Sequence, residues 1–198
     1  MPAIAILRMM HPSLASPAWP SRLVVQLDAA DERTRALLAE ISPEQLNWQP
    51  QPTAWSVGQC IEHLCLTNEH YVSSMSKALE GKPFGAAPEI KPGWFARWFI
   101  TSFVEPSSKS KRARAPKKIV PSSRVESSVL DRFLCSNQQT RELISRASNY
   151  DVNRIRFKNP FVPGIRFTIG TALEIIPIHE RRHLLQAERV ANLPGYPK

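Results

Sequence analysis

Two histidines stand four residues apart near the end of this chain, His179 and His183, with Glu180 beside the first in the pattern H-E-x-x-H. On a helix such a pair occupies neighbouring turns of one face with Cβ atoms about 5–6 Å apart, so two ring nitrogens can converge on one ion at roughly 2.0–2.1 Å. The pattern is also the signature of zinc metallopeptidases, in which the glutamate is the general base. Those enzymes take their third ligand downstream, as the last histidine of H-E-x-x-H-x-x-G-x-x-H or as a glutamate on a following helix. Here Gln186 fills the glycine position, Arg189 fills the histidine position, and the one later acid, Glu188, is too near on the same helix. A third ligand has to come from upstream, which argues against a peptidase.

The pair needs a helix to carry it. Apolar residues Ile169, Ala172, Leu173, Ile176, Leu184 and Ala187 recur at helical spacing from about Thr168 to Val190. On that wheel His183 falls inside the apolar arc, His179 at its edge and Glu180 toward it, while Arg181 and Arg182 point away. Pro177 removes one ladder bond just before His179 and predicts a kink there. Imidazoles and a carboxylate beside a buried face must be satisfied, and a metal would satisfy them.

Upstream, Ser56 and Gln59 form an S-x-x-Q capping box with Trp55 before the cap, opening a helix that runs to about Leu79. His63, Thr67, His70 and Ser74 line one margin of its apolar face. His63 and His70 lie about 10 Å apart along the axis, so one of them, not both, can join the pair on the last helix.

Two further helices are predicted. The first spans about Ser21 to Ile41, ended by Ser42-Pro43 and followed by a polar, Pro-rich loop. The other is opened by a second capping box, Ser123 with Glu126, and runs through Ala147. Between Gly81 and Pro121 lies a long connection holding an aromatic cluster (Trp94, Phe95, Trp98, Phe99, Phe103), expected as a short helix packed on the body, and a basic run from Lys109 to Lys118, expected as an exposed loop. Residues Tyr150 to Arg166 read as irregular or short extended pieces. These elements predict an all-α fold, a four-helix bundle with a long crossover between the second and third helices. At 198 residues the chain fits one such domain over 21–198 with a basic, Pro-rich insertion at about 81–122, preceded by a loosely packed extension over 1–20 that contains His11.

The chain carries a net charge of +9, of which the segment Gly81 to Ser122 supplies +7 through nine basic residues against Glu89 and Glu105. The remainder is close to neutral, so the charge points to that segment and not to the bundle as a whole. Cys60, Cys65 and Cys135 form neither a C-x-x-C nor an even set, which fits a reducing cytoplasm and argues against a disulfide framework or a thiolate zinc site. No stretch reaches 18 apolar residues and the start lacks signal-peptide architecture, so a soluble cytoplasmic protein without a membrane partner is expected. Seven glycines without clustering exclude a phosphate-binding loop.

The block Pro52-Thr53-Ala54-Trp55-Ser56-Val57-Gly58-Gln59-Cys60-Ile61-Glu62-His63-Leu64, followed some hundred residues later by His179-Glu180-Arg181-Arg182-His183-Leu184-Leu185-Gln186, resembles the DinB-like (YfiT-like) metalloprotein family. The likeness extends in layout from about Leu23 to Val190. It implies a four-helix bundle that binds a divalent metal through one histidine on the second helix and an H-x-x-x-H pair on the fourth, which on this chain are His63, His179 and His183. It further implies a homodimer through bundle faces. Characterised members include thiol-dependent S-transferases and isomerases that use low-molecular-weight thiols as cosubstrates.

Three function classes follow. The first is a metal-dependent enzyme, a transferase or hydrolase acting on a small molecule. Its ion would be zinc, nickel or iron held by imidazole nitrogens, and Glu180 would be the candidate catalytic base. The second is a metal-binding bundle without catalysis. The third is an anion-binding module using the basic run; nucleic acid is not expected there, because Ser107 to Lys118 contains no stacking aromatic residue. Blander roles compete at each position. Glu180 equally suits an ion pair or a partner orienting an imidazole, Gln186 a place beside the histidines, and His70 a rim position. Cys60 and Cys65 suit small core residues, and Trp48 and Trp55 suit packing at the helix start.

Overall fold

The computed structural model describes residues 18–106 and 114–198. Four long helices dominate: α1 (Ala18–Leu38), α3 (Val57–Leu79), α5 (Val129–Ala147) and α6 (Ile169–Ala191), with short helices α2 (Pro43–Asn47) and α4 (Trp94–Phe99) between them. Helix α3 packs against α5 and α6, and α1 packs against the same two, so α1 and α3 stand at opposite corners of a four-helix bundle. A two-stranded antiparallel hairpin, β1 (Arg156–Lys158) and β2 (Arg166–Thr168), pairs Phe157 with Phe167 and leads directly into α6.

The bundle interior has two apolar clusters with a polar layer between them. One contains Leu23, Leu27, Met75, Leu79, Ile144 and Leu173; the other contains Leu38, Val57, Ile61, Phe133, Leu184 and Val190. At the level between them all four helices contribute buried polar groups: Asp31 and Thr34, Thr67 and Asn68, Asn137 and Thr140, and Glu180. Buried polar groups persist only when partnered, and here they bond across the helices. Asn68 donates to Asn137 Oδ1 (3.0 Å), Asn137 donates to Asp31 Oδ1 (2.7 Å), and Arg141 closes the chain on Asp31 Oδ2 (2.6 Å).

Local signals explain most boundaries. The Ser56–Gln59 capping box is present in both directions at the start of α3, and Thr168 caps α6 through Thr171 N. Helix α6 runs through Pro177 without ending. The Ser42-Pro43 stop is also a start, because Ser42 and Gln45 form a capping box and the proline occupies the first turn of α2. Gly58 lets α2 rest on α3: a Cβ there would stand 2.9 Å from Leu46 O.

The third long helix begins later than its capping box predicts. Ser128 is the N-cap of α5 and makes no side-chain cap bond. Val125 is instead held sideways by Asn47, whose amide accepts from Val125 N (2.7 Å) and donates to Val125 O (3.0 Å), so residues 123–126 are fastened to the end of α2 and not wound into helix.

The crossover from α3 to α5 leaves through α4, continues as a π-helical turn, Ile100–Val104, and returns through a 3-10 turn, Lys117–Ile119. Its aromatic leg is pinned by ring contacts, Phe99 meeting Phe167 of β2 with centroids 5.3 Å apart. Arg114, Lys117 and Lys118 are exposed, whereas Lys109, Lys111 and Arg112 lie outside the described residues, as does His11 in the expected extension. Trp19, within that expected extension, starts α1; it is buried, and its indole N–H donates to Ala87 O at 3.1 Å. No helix among the described residues is long and apolar enough to cross a membrane.

Candidate metal centre

Helix α6 carries His179 and His183 on neighbouring turns, and the early part of α3 brings His63 against them. Ligand-capable ring nitrogens of the three lie within 4.8 Å of one another. Nε2 of His63 is 3.3 Å from Nε2 of His179, and the His63 and His183 ring centroids are 4.6 Å apart. His63 and His183 are buried, with 3% and 9% of their surface exposed. His179 is partly buried, and its Nδ1 is enclosed with no hydrogen-bond partner.

The hydrogen bonds around the rings assign their protons. His63 Nδ1 lies 2.7 Å from the carbonyl oxygen of Ile119, and His183 Nδ1 lies 3.1 Å from Gln186 Oε1. Each of these oxygens accepts, so each Nδ1 carries the proton and each Nε2 keeps a bare lone pair. Burial keeps the rings neutral. It holds His63 below the ordinary imidazole range, and it holds His179 and His183 well below it, with the neighbouring imidazoles and Arg182 adding to the effect. Neutral imidazoles with inward lone pairs are the donor set a divalent ion of the zinc or nickel type takes. The group thus fits a metal ion.

Its surroundings come from three directions. The indole of Trp55, just before the α3 cap, lies over His63 and His183 with centroids 4.7 and 5.7 Å away. Gln186 supplies the acceptor for His183. The crossover frames the group on both helices, since Ile119 O holds His63 while Arg182 Nη1 on α6 donates to Glu105 O at 3.1 Å.

Glu180 is not a member of the group. Its carboxylate is fully enclosed in the polar layer, where Oε1 accepts from Asn68 Nδ2 at 2.8 Å and Oε2 is buried without a partner. Burial, more than the opposing bond from Asn68, pushes its pKa up to about 8. His70, the alternative on α3, stands further along that helix with its ring edge-on to Phe161 and is not in the group. Cys60 and Cys65 are core residues whose thiols burial raises to about 12, so neither supplies a thiolate. The roles of Ile119, Asn68 and Asn137 carry no motif. A backbone carbonyl has no letter, and the two asparagines show only as polar positions on apolar helix faces.

The DinB superfamily model matches residues 26–187 of this chain. Among solved structures the chain is similar to YfiT from Bacillus subtilis, described as a probable metal-dependent hydrolase with an unusual four-helix bundle topology. The two share 16% sequence identity with a TM-score of 0.54, over 96% of this chain and 91% of that one. No match was found among curated proteins.

Proposed function

Since this chain belongs to the DinB superfamily, we propose that it is a metal-dependent enzyme in which His63, His179 and His183 hold one divalent ion. The observation that carries this reading is the pair of ring orientations: Ile119 O and Gln186 Oε1 each accept from an Nδ1–H, which leaves Nε2 of two buried rings free to donate a lone pair, in a cluster whose ligand-capable nitrogens lie within 4.8 Å of one another. Without an ion, a neutral His179 donates Nε2–H to the His63 lone pair across 3.3 Å and its own Nδ1 is left enclosed without a partner; a divalent cation would take the Nε2 lone pairs in place of that bond.

When bound, the ion supplies Lewis acidity that eases removal of a proton from water or a thiol. The chain's own residues do the rest. Ile119 and Gln186 orient two of the rings, and Trp55 shields the same two from water. Glu180 faces the polar layer, which supports a role in holding α6 against α3 through Asn68.

The likeness to YfiT favours hydrolysis as the reaction class, and the thiol-dependent members that the sequence resembles favour transfer of a thiol to an electrophile. Zinc and nickel suit the nitrogen donors best, with iron next. The test is elemental analysis of untagged protein beside its His63→Ala variant. About one ion per chain in the first and a sharp loss in the second is the expected result, and full occupancy in the variant would sink the ligand assignment. Loaded protein is then offered activated esters and, separately, electrophiles with several low-molecular-weight thiols. The enclosure of His63 and His183 favours a second reading, a metal-binding bundle without turnover, which a stoichiometric ion with neither activity would support.

A further inference from the structure

The return leg of the crossover grips one face of α3 at successive turns. Gln59 Nε2 donates to Ser122 O (2.9 Å), and Ser122 donates to Glu62 through its backbone N–H (2.6 Å to Oε2) and its hydroxyl (3.1 Å to Oε1). One residue beyond Glu62, His63 Nδ1 donates to Ile119 O (2.7 Å), and the Ile119 side chain is itself buried. The carbonyl that aims the His63 ring therefore sits on a strap, residues 114–122, that side chains of α3 hold in place. Glu62 makes two of these bonds, which are charge-assisted and so among the stronger ones. It also stands 3.5 Å from Arg132 of α5, whose main carboxylate partner is Glu69 (2.7 Å).

We propose that Glu62 is a positioning residue for the metal centre: by fastening Ser122 it fixes the Ile119 carbonyl, and through that carbonyl the orientation of His63. The inference rests on the metal reading above. Loss of a group that orients a metal-ligating histidine costs about 10- to 100-fold in affinity. Linkage then requires the reverse effect, so that an ion bound to His63 tightens the strap by the same factor by which the docked strap tightens the ion. Lys117 and Lys118 are exposed on that strap, which makes its docking readable by trypsin.

The experiment uses the full chain and zinc alone, with affinity measured by chelator competition. Glu62→Ala is expected to weaken zinc at least tenfold. Glu62→Gln, which keeps an acceptor for Ser122, is expected to stay near wild type. Glu69→Ala removes the same charge from the same helix without touching the strap and is expected to leave zinc binding unchanged. In wild type, zinc is expected to slow cleavage after Lys117 and Lys118, and in Glu62→Ala to do so much less.

Unchanged affinity in Glu62→Ala overturns the inference, as does an equal loss in Glu69→Ala or a wild-type strap cut at the same rate with and without zinc. If circular dichroism shows Glu62→Ala unfolded, the wild-type cleavage result decides alone. A wild-type chain that binds no zinc overturns this inference, and one that also binds neither nickel nor iron overturns the metal reading with it, whereas zinc bound with no strap effect overturns only the inference.

Discussion

The side-chain amide of Asn68 on α3 donates to Glu180 Oε1 on α6 at 2.8 Å, tying together the two helices that carry the three histidines. The carboxyl it holds keeps its proton up to about pH 8, whereas an unburied one releases it near 4.5. Between those values the folded chain binds more protons at this site than the unfolded chain, so the contribution of Glu180 to stability falls as pH rises through the window. Glu180→Gln removes that titration with little change of shape. Urea denaturation of metal-free protein from pH 5 to 8 should show wild type losing stability relative to the variant, and parallel profiles would mean that the carboxyl is not held protonated.

The imidazoles act in the opposite sense. Burial holds His63, His179 and His183 below the ordinary 6.5, so on acidification the unfolded chain takes up protons that the folded chain refuses. Their contribution is present above 6.5 and declines as pH falls below it. Replacing His183 with Gln should flatten the acid side of the metal-free stability profile, measured between pH 7 and 5. An unchanged slope would show that this ring titrates as an exposed one.

Metal should appear directly in stability. An ion that binds only the folded chain, at a hundredfold excess over its Kd, adds about 2.7 kcal/mol. Thermal melts at pH 7.5 should therefore rise with zinc, return to the starting value with a chelator, and not respond in His63→Ala.

Two arginine substitutions should separate a buried ion pair from an exposed one. Arg141 meets Asp31 at 2.6 Å with side-chain exposures of 18% and 8%, while Arg132 meets Glu69 at 2.7 Å with 40% and 38%. Arg141→Met strands a buried carboxylate at the end of the polar layer and is expected to cost about 3 kcal/mol. Arg132→Met is expected to cost about 1 kcal/mol or less. Equal losses in chemical denaturation would contradict that account.

Gly58→Ala tests the seat of α2. Alanine favours helix by up to about 1 kcal/mol, but its Cβ would press on a backbone oxygen, Leu46 O, at 2.9 Å. The clash should win, with a net loss of about 1–2 kcal/mol in denaturation midpoint terms; a stabilised variant would show that α2 yields easily.

Reading from sequence succeeded where side chains act locally. The Ser56–Gln59 box and the period of α6 place His63, His179 and His183 on helices. It failed at Ser123–Glu126 because a cap competes with distant partners: Asn47 takes both backbone groups of Val125, a contact between residues 78 apart in the chain. It was silent about Ile119 because the group that aims His63 is a carbonyl every residue possesses. Glu180 reads as pointing toward the apolar arc, yet the partner that gives it a place, Asn68, stands midway along α3 and bears no signature of its own.

The indole of Trp55, 4.7 Å from His63 and 5.7 Å from His183, gives the centre an optical readout of its own. A paramagnetic ion such as nickel arriving at those rings should quench its emission, while zinc, with its filled d shell, should shift the emission without darkening it. Occupancy and the identity of the ion can thus be followed in unlabelled protein, with Trp55→Phe as the blank.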